Sequence, residues 1–326
     1  AAVIVVAGAW LARTADVIGE KTGLGRTLAG MLLVALGTSL PELAVNCSAA
    51  LIPAPDLAVG DLLGASLFNL LVLAVLDALY RRPERILSRK ASAHALPAVT
   101  SILLSAIVLL VLLIDAPSPW VRPAWGTLAV GATYLVCIRL IFFDQQYQMQ
   151  HRPKQAAVAE AEAASSLTLG GAVGGFLVAA LAILIAAPFL AQAADGLAER
   201  TGLGGTFVGT VFLALCTTLP EVVATTSAVR MGAYDLAVGN IFGSNCINLC
   251  ILLPVDLFYA GDLLADAHAA HAVTAAAVIV VTGVAVLGLL YSAERRLWVV
   301  EYDAGVMIVL VLAALGLVYH TSGAGP

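Results

Sequence analysis

The sequence predicts an all-α integral membrane protein with ten transmembrane helices, arranged as two inverted-topology five-helix repeats. Three observations carry this prediction: the composition, the number of long apolar stretches, and a motif that occurs twice. Of the 326 residues, 61% are hydrophobic and only 11% are charged, whereas an ordinary soluble domain has about 25% charged residues. A chain with so few charges is suited to the lipid bilayer as its solvent.

The apolar residues fall into long continuous stretches. Most of these reach the roughly 20 residues that a helix needs to cross the hydrocarbon core. The first stretch is short enough to resemble a signal peptide, but it matches the end of the sixth stretch in the internal repeat, so we interpret it as a helix. The ten stretches lie near residues 2–15, 26–52, 57–79, 94–115, 123–143, 169–194, 205–230, 236–259, 271–291 and 303–320.

One pattern occurs in both halves of the chain. Each copy places a proline and a carboxylate inside an apolar stretch, where they are tolerated only if they are buried in protein or line a cavity. The offset between the copies is 179 residues (221 − 42) and holds without a gap through the motif. The matched segments are GTSLPE at 37–42 with CTTLPE at 216–221, DLAVG at 56–60 with the same letters at 235–239, and Asn69 with Asn248.

The number of helices in each copy predicts how the copies are oriented. Five is an odd number, so the second repeat must cross the membrane in the opposite sense to the first. We therefore predict a first repeat at residues 1–143 with its motif at 37–69, a linker at 144–168, and a second repeat at 169–326 with its motif at 216–248.

The basic residues predict which side of the membrane each loop faces. If the N-terminus is outside, the inner loops contain all of the 16 Lys and Arg residues except Arg122 and Arg200. The positive-inside rule then predicts a multi-pass protein of the cell membrane, with both termini external and the polar 144–168 linker in the cytoplasm.

Pro41 interrupts the second apolar stretch. It has no N–H group, and its ring clashes with the carbonyl four residues earlier, so the carbonyl of Gly37 loses its helical partner. Thr38 and Ser39 add hydroxyl groups, and Glu42, one helical turn beyond Thr38, adds a carboxylate on the same face. Carbonyl, hydroxyl and carboxylate oxygens are the ligands of hard cations such as Ca²⁺ and Na⁺.

The seventh apolar stretch repeats this arrangement with Thr217, Thr218, Pro220 and Glu221. A single membrane proline usually does no more than kink a helix, and a single membrane glutamate can be protonated and hydrogen-bonded. Because both residues occur twice at the same repeat position, we favour a shared cation site over these structural explanations.

The third and eighth stretches carry further polar residues. Asn69 and Asn248 occupy the same repeat position, where amide oxygens can complete the coordination shell of a cation. The small residues before them, including Gly64, are equally explained by close helix packing. Asp56, at a helix start, is interpreted as an N-cap, and His271 is interpreted as part of a solvated outer loop.

These motifs resemble the two alpha-repeats of the calcium/cation antiporter superfamily, which includes the sodium/calcium exchangers. The resemblance covers both repeats and implies a membrane-embedded site where the second, third, seventh and eighth helices meet, with alternating access and with the first and sixth helices as a sliding gate. By motif position the resemblance implies that Glu42 and Glu221 are the central Ca²⁺ carboxylates and that the backbone carbonyls of Thr38 and Thr217 join them. It also implies that monovalent ions are bound by Ser39, Thr218 and Ser244. Asn69 and Asn248 would lie at the midplane of the membrane.

The two copies differ within this pattern. With Glu42 and Glu221 taken as the only carboxylates in the core, the site holds two negative charges, which one Ca²⁺, two Na⁺ or two protons would neutralise. The counter-ion is therefore left open by charge alone. The differing pairs are Ala65 with Ser244, Asp61 with Asn240, Asn46 with Thr225, and Gly37 with Cys216.

The sequence thus predicts a secondary active antiporter that exchanges Ca²⁺ for Na⁺ by alternating access, and not an enzyme. Na⁺ is favoured because the Thr-Ser-Leu-Pro-Glu form resembles the sodium branch of the superfamily. Exchange of Ca²⁺ or another divalent ion for H⁺ is the alternative, and a cation channel with carboxylate-lined walls is a further one. No nucleotide-binding glycine loop occurs, so any uphill transport must be driven by another gradient. No cofactor and no nucleic-acid partner are expected, and the oligomeric state is left open.

Overall fold

The computed structural model describes residues 2–22, 37–52, 54–80, 86–87, 94–114, 123–151, 167–230, 232, 234–290 and 302–322. These residues are almost entirely helical and include no strand. The elements are, in order, α1 (Ala2–Lys21), α2 (Leu40–Leu51), α3 (Pro55–Leu79), α4 (Ala95–Ile114), α5 (Trp125–His151), α6 (Leu169–Thr201), α7 (Gly204–Phe207), a π-helix (Val208–Leu213), α8 (Ala214–Thr217), α9 (Leu219–Arg230), α10 (Tyr234–Phe258), α11 (His271–Leu290) and α12 (Tyr302–Thr321).

Seven of the described helices are long and apolar enough to cross a bilayer, namely α3, α4, α5, α6, α10, α11 and α12. A bent pair, Gly204–Thr217 and Leu219–Arg230, would make an eighth crossing, with a bend of 49° between its two parts. The prediction of an all-helical, multi-pass membrane protein is confirmed. The first predicted stretch corresponds to α1, whose apolar segment Ala2–Ala15 is shorter than the seven spans. Residues 26–36 of the second stretch, and 152–166 of the linker, lie outside the described residues.

The helix bounds repeat at the spacing of the sequence motif. Helices α2 and α9 have 12 residues each, and their first residues are 179 positions apart (219 − 40). Helices α3 and α10 have 25 residues each, and they also start 179 positions apart (234 − 55). The duplication in sequence is therefore a duplication of local structure in this part of the chain.

Helices α2 and α9, which carry the two Pro-Glu pairs, each begin one residue before the proline. Pro41 lies in the first turn of α2, and α9 begins at Leu219, one residue before Pro220. The first turn of a helix tolerates proline because an N–H group there would have no intrahelical partner. The bend between α8 and α9 therefore falls where the missing N–H of Pro220 predicts a break.

The interior of the protein lies around α3 and α10. In each of these helices 67% of the apolar 18-residue segment is buried inside the protein, compared with 17% of the corresponding segment of α6. Helices α2 and α9 both pack against α3 and α10, and α1 packs against α6. Gly8 of α1 contacts both motifs, because a Cβ atom there would collide with the ring of Pro220 and lie 3.4 Å from Cγ of Pro41. The two proline motifs therefore meet beneath α1.

Backbone-to-backbone packing joins α3 to the π-helix. A Cβ atom on Gly64 would lie 2.7 Å from Cα of Thr210, and one on Gly209 would lie 2.7 Å from the carbonyl oxygen of Leu57. Only glycine allows two backbones to approach so closely. A π-helix is rare and is frequently found at a functional site, and this one is separated from the second motif by two residues.

Two interpretations at helix ends are wrong. Asp56 does not cap α3, whose N-cap residue is Ala54. Its carboxylate instead accepts the N–H of His268 at 2.6 Å and lies 3.0 Å from Nε2 of His271. His271 is fully buried at the start of α11 and does not belong to a solvated loop. No local pattern predicts this contact, since the two residues are 215 positions apart.

The Gly64 contact gives a test of the fold. Gly64→Ala places a methyl group against the Thr210 backbone, so we expect it to destabilise the protein by about 1–3 kcal/mol. The matched control is Gly174→Ala on the exposed face of α6, where no described atom lies within 4 Å of the added methyl group. Thermal unfolding in detergent measures both variants, and equal midpoints would contradict the close packing of α3 on the π-helix.

Candidate ion-binding site

The sequence-predicted site residues are buried at the place where α2 and α9 pack against α3 and α10. Gly8 of α1 lies against both Pro41 and Pro220, which directly precede Glu42 and Glu221 in the sequence. One interior region therefore holds both glutamates. All nine predicted residues are exposed by 2% or less: Thr38, Ser39, Glu42, Asn69, Thr217, Thr218, Glu221, Ser244 and Asn248.

Many oxygens of these side chains have no hydrogen-bond partner in the part of the chain that the structure describes. An unpaired buried polar atom costs about 1–3 kcal/mol, and more if it is charged, so native interiors contain few of them. A concentration of such atoms in one region is satisfied by a bound cation or by ordered water. The unpaired atoms are Oε1 and Oε2 of Glu42 and Glu221, the hydroxyls of Ser39 and Ser244, and the amide oxygens of Asn69 and Asn248.

The two threonines of the second motif already make hydrogen bonds. The Thr218 hydroxyl donates to the carbonyl of Ala214 at 2.5 Å. The Thr217 hydroxyl donates to Oδ1 of Asp61 at 2.9 Å. A hydroxyl that donates its proton keeps lone pairs that a cation can use, so this bond orients Thr218 without removing its hydroxyl as a ligand. Thr217 is predicted to contribute its backbone carbonyl rather than its hydroxyl.

Asp61 of α3 is a third buried carboxylate. It is 0% exposed and accepts hydrogen bonds from Nδ2 of Asn46 and from Thr217. Asn46 also donates to the backbone carbonyl of Glu42 at 2.7 Å, and Thr217 lies four residues before Glu221, so Asp61 is linked to the surroundings of both glutamates. The prediction that the two glutamates are the only carboxylates of the core is therefore wrong. The sequence did contain a signal, because Asp61 and Asn240 are polar residues at the same repeat position of an apolar helix.

Amide hydrogen bonds connect α3 and α10 next to the site. Nδ2 of Asn69 donates to Oδ1 of Asn245 at 2.9 Å, and Nδ2 of Asn245 donates to the carbonyl of Ser66 at 3.3 Å. These bonds fix the side chain of Asn69, and its own amide oxygen has no partner within the described ranges. Asn245 was not among the predicted site residues, and its repeat equivalent is Ser66 (245 − 66 = 179).

The donor set favours hard cations. Among the described residues, no three His, Cys, Asp or Glu side chains come close enough together to hold a metal ion by themselves. An ion in this region would therefore be held by a mixture of carboxylate, carbonyl, hydroxyl and amide oxygens. Such a flexible set of oxygens suits Ca²⁺ or Na⁺, whereas zinc and copper prefer nitrogen and sulfur.

A bundle of membrane-spanning helices with acidic and unpaired polar groups in its interior defines the class as a multi-pass membrane protein of the kind that moves ions. Residues 1–143 and 171–323 match the family described as "Sodium/calcium exchanger protein". The chain belongs to this family, which is one of ion exchangers and not of enzymes.

Named relatives cover most of the chain. The putative antiporter CaxA of Alkalimonas amylolytica is 30% identical over 260 residues, which are 78% of this chain and 77% of that protein. Inner membrane protein YrbG of Escherichia coli (strain K12) is 29% identical over 242 residues, with 73% and 71% covered. The sodium/calcium exchanger MaX1 of Methanosarcina acetivorans is 25% identical over 280 residues, with 77% and 78% covered.

Solved structures share the fold. The structure of native YfkE matches with a TM-score of 0.67 and 14% identity, and the match covers 97% of this chain and 89% of that one. The sodium-calcium exchanger NCX_Mj, soaked with Na⁺ and Sr²⁺, matches with a TM-score of 0.59 and 16% identity, covering 96% and 94%.

Two serines provide a matched test of the site. Ser244 and Ser101 are both 0% exposed, and neither hydroxyl has a partner among the residues that the structure describes, but Ser101 lies on α4, outside the predicted ligand set. A cation at 100 times its Kd stabilises a protein by about 2.7 kcal/mol. We expect Ser244→Ala to reduce the rise in unfolding midpoint that Ca²⁺ or Na⁺ produces, because it removes an oxygen ligand, and Ser101→Ala to leave that rise unchanged. Equal responses of the two variants would contradict the assignment of Ser244.

Proposed function

We propose that the protein is a secondary active antiporter that exchanges Ca²⁺ for Na⁺ across the membrane by alternating access. One observation carries the proposal: each copy of the motif contributes a fully buried glutamate whose carboxylate oxygens have no partner among the described residues. Membership of an ion-exchanger family supports the same conclusion, as does the similarity to a relative named as a sodium/calcium exchanger.

The proposed architecture is ten helices in two inverted repeats, at 1–143 and 169–326. The matching bounds of α2 with α9 and of α3 with α10 support it. We further propose that both termini are external and that the 144–168 linker is cytoplasmic, because this orientation places nearly all basic residues inside. An inverted repeat offers the same ligands to either side of the membrane, which is what alternating access requires.

The proposed ligands are the buried oxygens of the two motifs. Glu42 and Glu221 hold Ca²⁺ together with the backbone carbonyls of Thr38 and Thr217, and Asn69 and Asn248 lie beside them at the midplane. Ser39, Thr218 and Ser244 serve the monovalent ion. Because Ca²⁺ and the counter-ion need the same carboxylates, the two cannot occupy the site fully at the same time. This competition is the coupling that an antiporter requires.

Proton exchange is the alternative. Two protons neutralise two carboxylates as well as Na⁺ does, and CaxA is named only as an antiporter. A cation channel is a weaker candidate, since a channel conducts without a counter-ion.

The decisive measurement is Ca²⁺ uptake into proteoliposomes with Na⁺, K⁺ and pH gradients imposed separately. We expect an outward Na⁺ gradient to drive uptake, because Na⁺ leaving the site frees the carboxylates for Ca²⁺. Uptake driven by the pH gradient alone would identify H⁺ as the counter-ion. Uptake that needs no counter-ion would contradict antiport.

Substitution of the glutamates tests the site in the same assay. Glu42→Gln and Glu221→Gln each remove a buried charged ligand. If that ligand contributes about 3 kcal/mol to Ca²⁺ binding, we expect its loss to weaken Ca²⁺ binding more than 100-fold and to reduce uptake accordingly. The control is Glu199→Gln, which changes an exposed glutamate on α6 and should retain wild-type flux. Uptake that persists at the wild-type rate in Glu42→Gln would refute the role of this residue.

A further inference from the structure

One inter-helix hydrogen bond is present in both copies of the motif, but with different partners. In the first copy Nδ2 of Asn46 donates to Oδ2 of Asp61. In the second copy Nδ2 of Asn240 donates to Oγ1 of Thr225 at 3.0 Å. The positions are equivalent, since 225 − 46 and 240 − 61 are both 179. The bond is thus duplicated, but only the first copy places a carboxylate in it.

The carboxylate of Asp61 also reaches the other copy. Its Oδ1 atom accepts the hydroxyl of Thr217 at 2.9 Å, and Thr217 lies three residues before Pro220. Two hydrogen bonds from different helices therefore fix this carboxylate in a fully buried position. The neighbouring Gly60 and Gly64 hold α3 close to the π-helix, so the side chain is attached to a tightly packed segment.

We propose that Asp61 is a specificity-determining residue of the exchange site, which favours Ca²⁺ over the monovalent counter-ion by adding a third carboxylate to one side of it. The inference rests on the proposed function and deepens it. Coulomb attraction scales with the charge of the ion, so a fixed negative charge at a given distance stabilises a divalent ion twice as strongly as a monovalent one. The hydrogen bonds from Asn46 and Thr217 hold this carboxylate in place.

Asp61→Asn removes the charge and keeps the shape. The new amide oxygen can still accept from Asn46, whose Nδ2 also donates to the carbonyl of Glu42 at 2.7 Å. The new NH₂ group can donate to the hydroxyl oxygen of Thr217, whose own proton can go to the carbonyl of Ala214 at 3.2 Å. Asn240 shows that asparagine is accommodated at the equivalent position. The variant therefore tests the charge rather than the packing.

The readout is the half-saturating concentration of Ca²⁺ and, separately, of the monovalent ion that drives flux in the wild-type protein. If Asp61→Asn raises the half-saturating concentration of the monovalent ion about threefold, we expect it to raise that of Ca²⁺ about tenfold. The factor for the divalent ion is the square of the factor for the monovalent ion, because the lost Coulomb energy is twice as large. Equal factors for the two ions would overturn the proposal, and so would no change in either.

Two further variants separate charge from position. Thr217→Val removes the hydrogen bond but leaves the carboxylate, so we expect it to shift both ions by similar factors. If Thr217→Val changed the preference between Ca²⁺ and the monovalent ion as much as Asp61→Asn does, the conclusion that the charge of Asp61 sets this preference would be overturned. Asn240→Asp adds a carboxylate at the equivalent position and should shift preference toward Ca²⁺. A shift in the opposite direction would also overturn the proposal, and this variant keeps the test open if Asp61→Asn fails to fold.

The outcome distinguishes this inference from the proposed function. If the wild-type protein shows no counter-ion-dependent Ca²⁺ flux, the proposed function itself fails. If the flux is present, is lost in Glu42→Gln, and keeps its ion preference in Asp61→Asn, only the role of Asp61 is refuted.

Discussion

The architecture depends on three carboxylates that are buried close to one another in a membrane-embedded interior. Glu42, Asp61 and Glu221 are fully buried, and like charges repel strongly where the effective dielectric constant is low. Asp61 is held by two hydrogen bonds, whereas the glutamate oxygens have no partner in the described part of the chain. Such an arrangement is stable only when protons or bound cations neutralise the carboxylates.

Helix breaks and close backbone packing place polar groups around these carboxylates. Pro41 and Pro220 begin new helices beside the glutamates, so polar groups near the breaks are not all used within the helices. Gly64 and Gly209 bring α3 and the π-helix into backbone contact, which places Asp61 within reach of the second motif. Gly8 of α1 lies against both prolines. Small residues and prolines, which are weak helix formers, are therefore concentrated around the acidic groups.

Much of the fold could be predicted from the sequence because transmembrane helices have a length and composition that the bilayer fixes. The third stretch, predicted near 57–79, is the helix Pro55–Leu79, and the ninth, predicted near 271–291, is His271–Leu290. Eight of the nine site residues recur as polar residues at the same repeat position of an apolar stretch, which is unusual, whereas Ser244, which is paired with Ala65, was chosen from the family resemblance. Asp61 was singled out only as a difference between the copies, since its burial and partners have no local signature.

The sequence alone determined the helical class, the duplicated motif and the residue types that face the interior, since each follows from composition, spacing or the chemistry of proline and carboxylate. Only the tertiary structure decided which groups meet. Asp61 contacts Thr217 across 156 positions, Asn69 contacts Asn245 across 176, and Asp56 contacts His271 across 215. The physical reason is that such contacts are set by how helices pack against one another, and packing depends on the shape of all the surfaces together rather than on any local pattern.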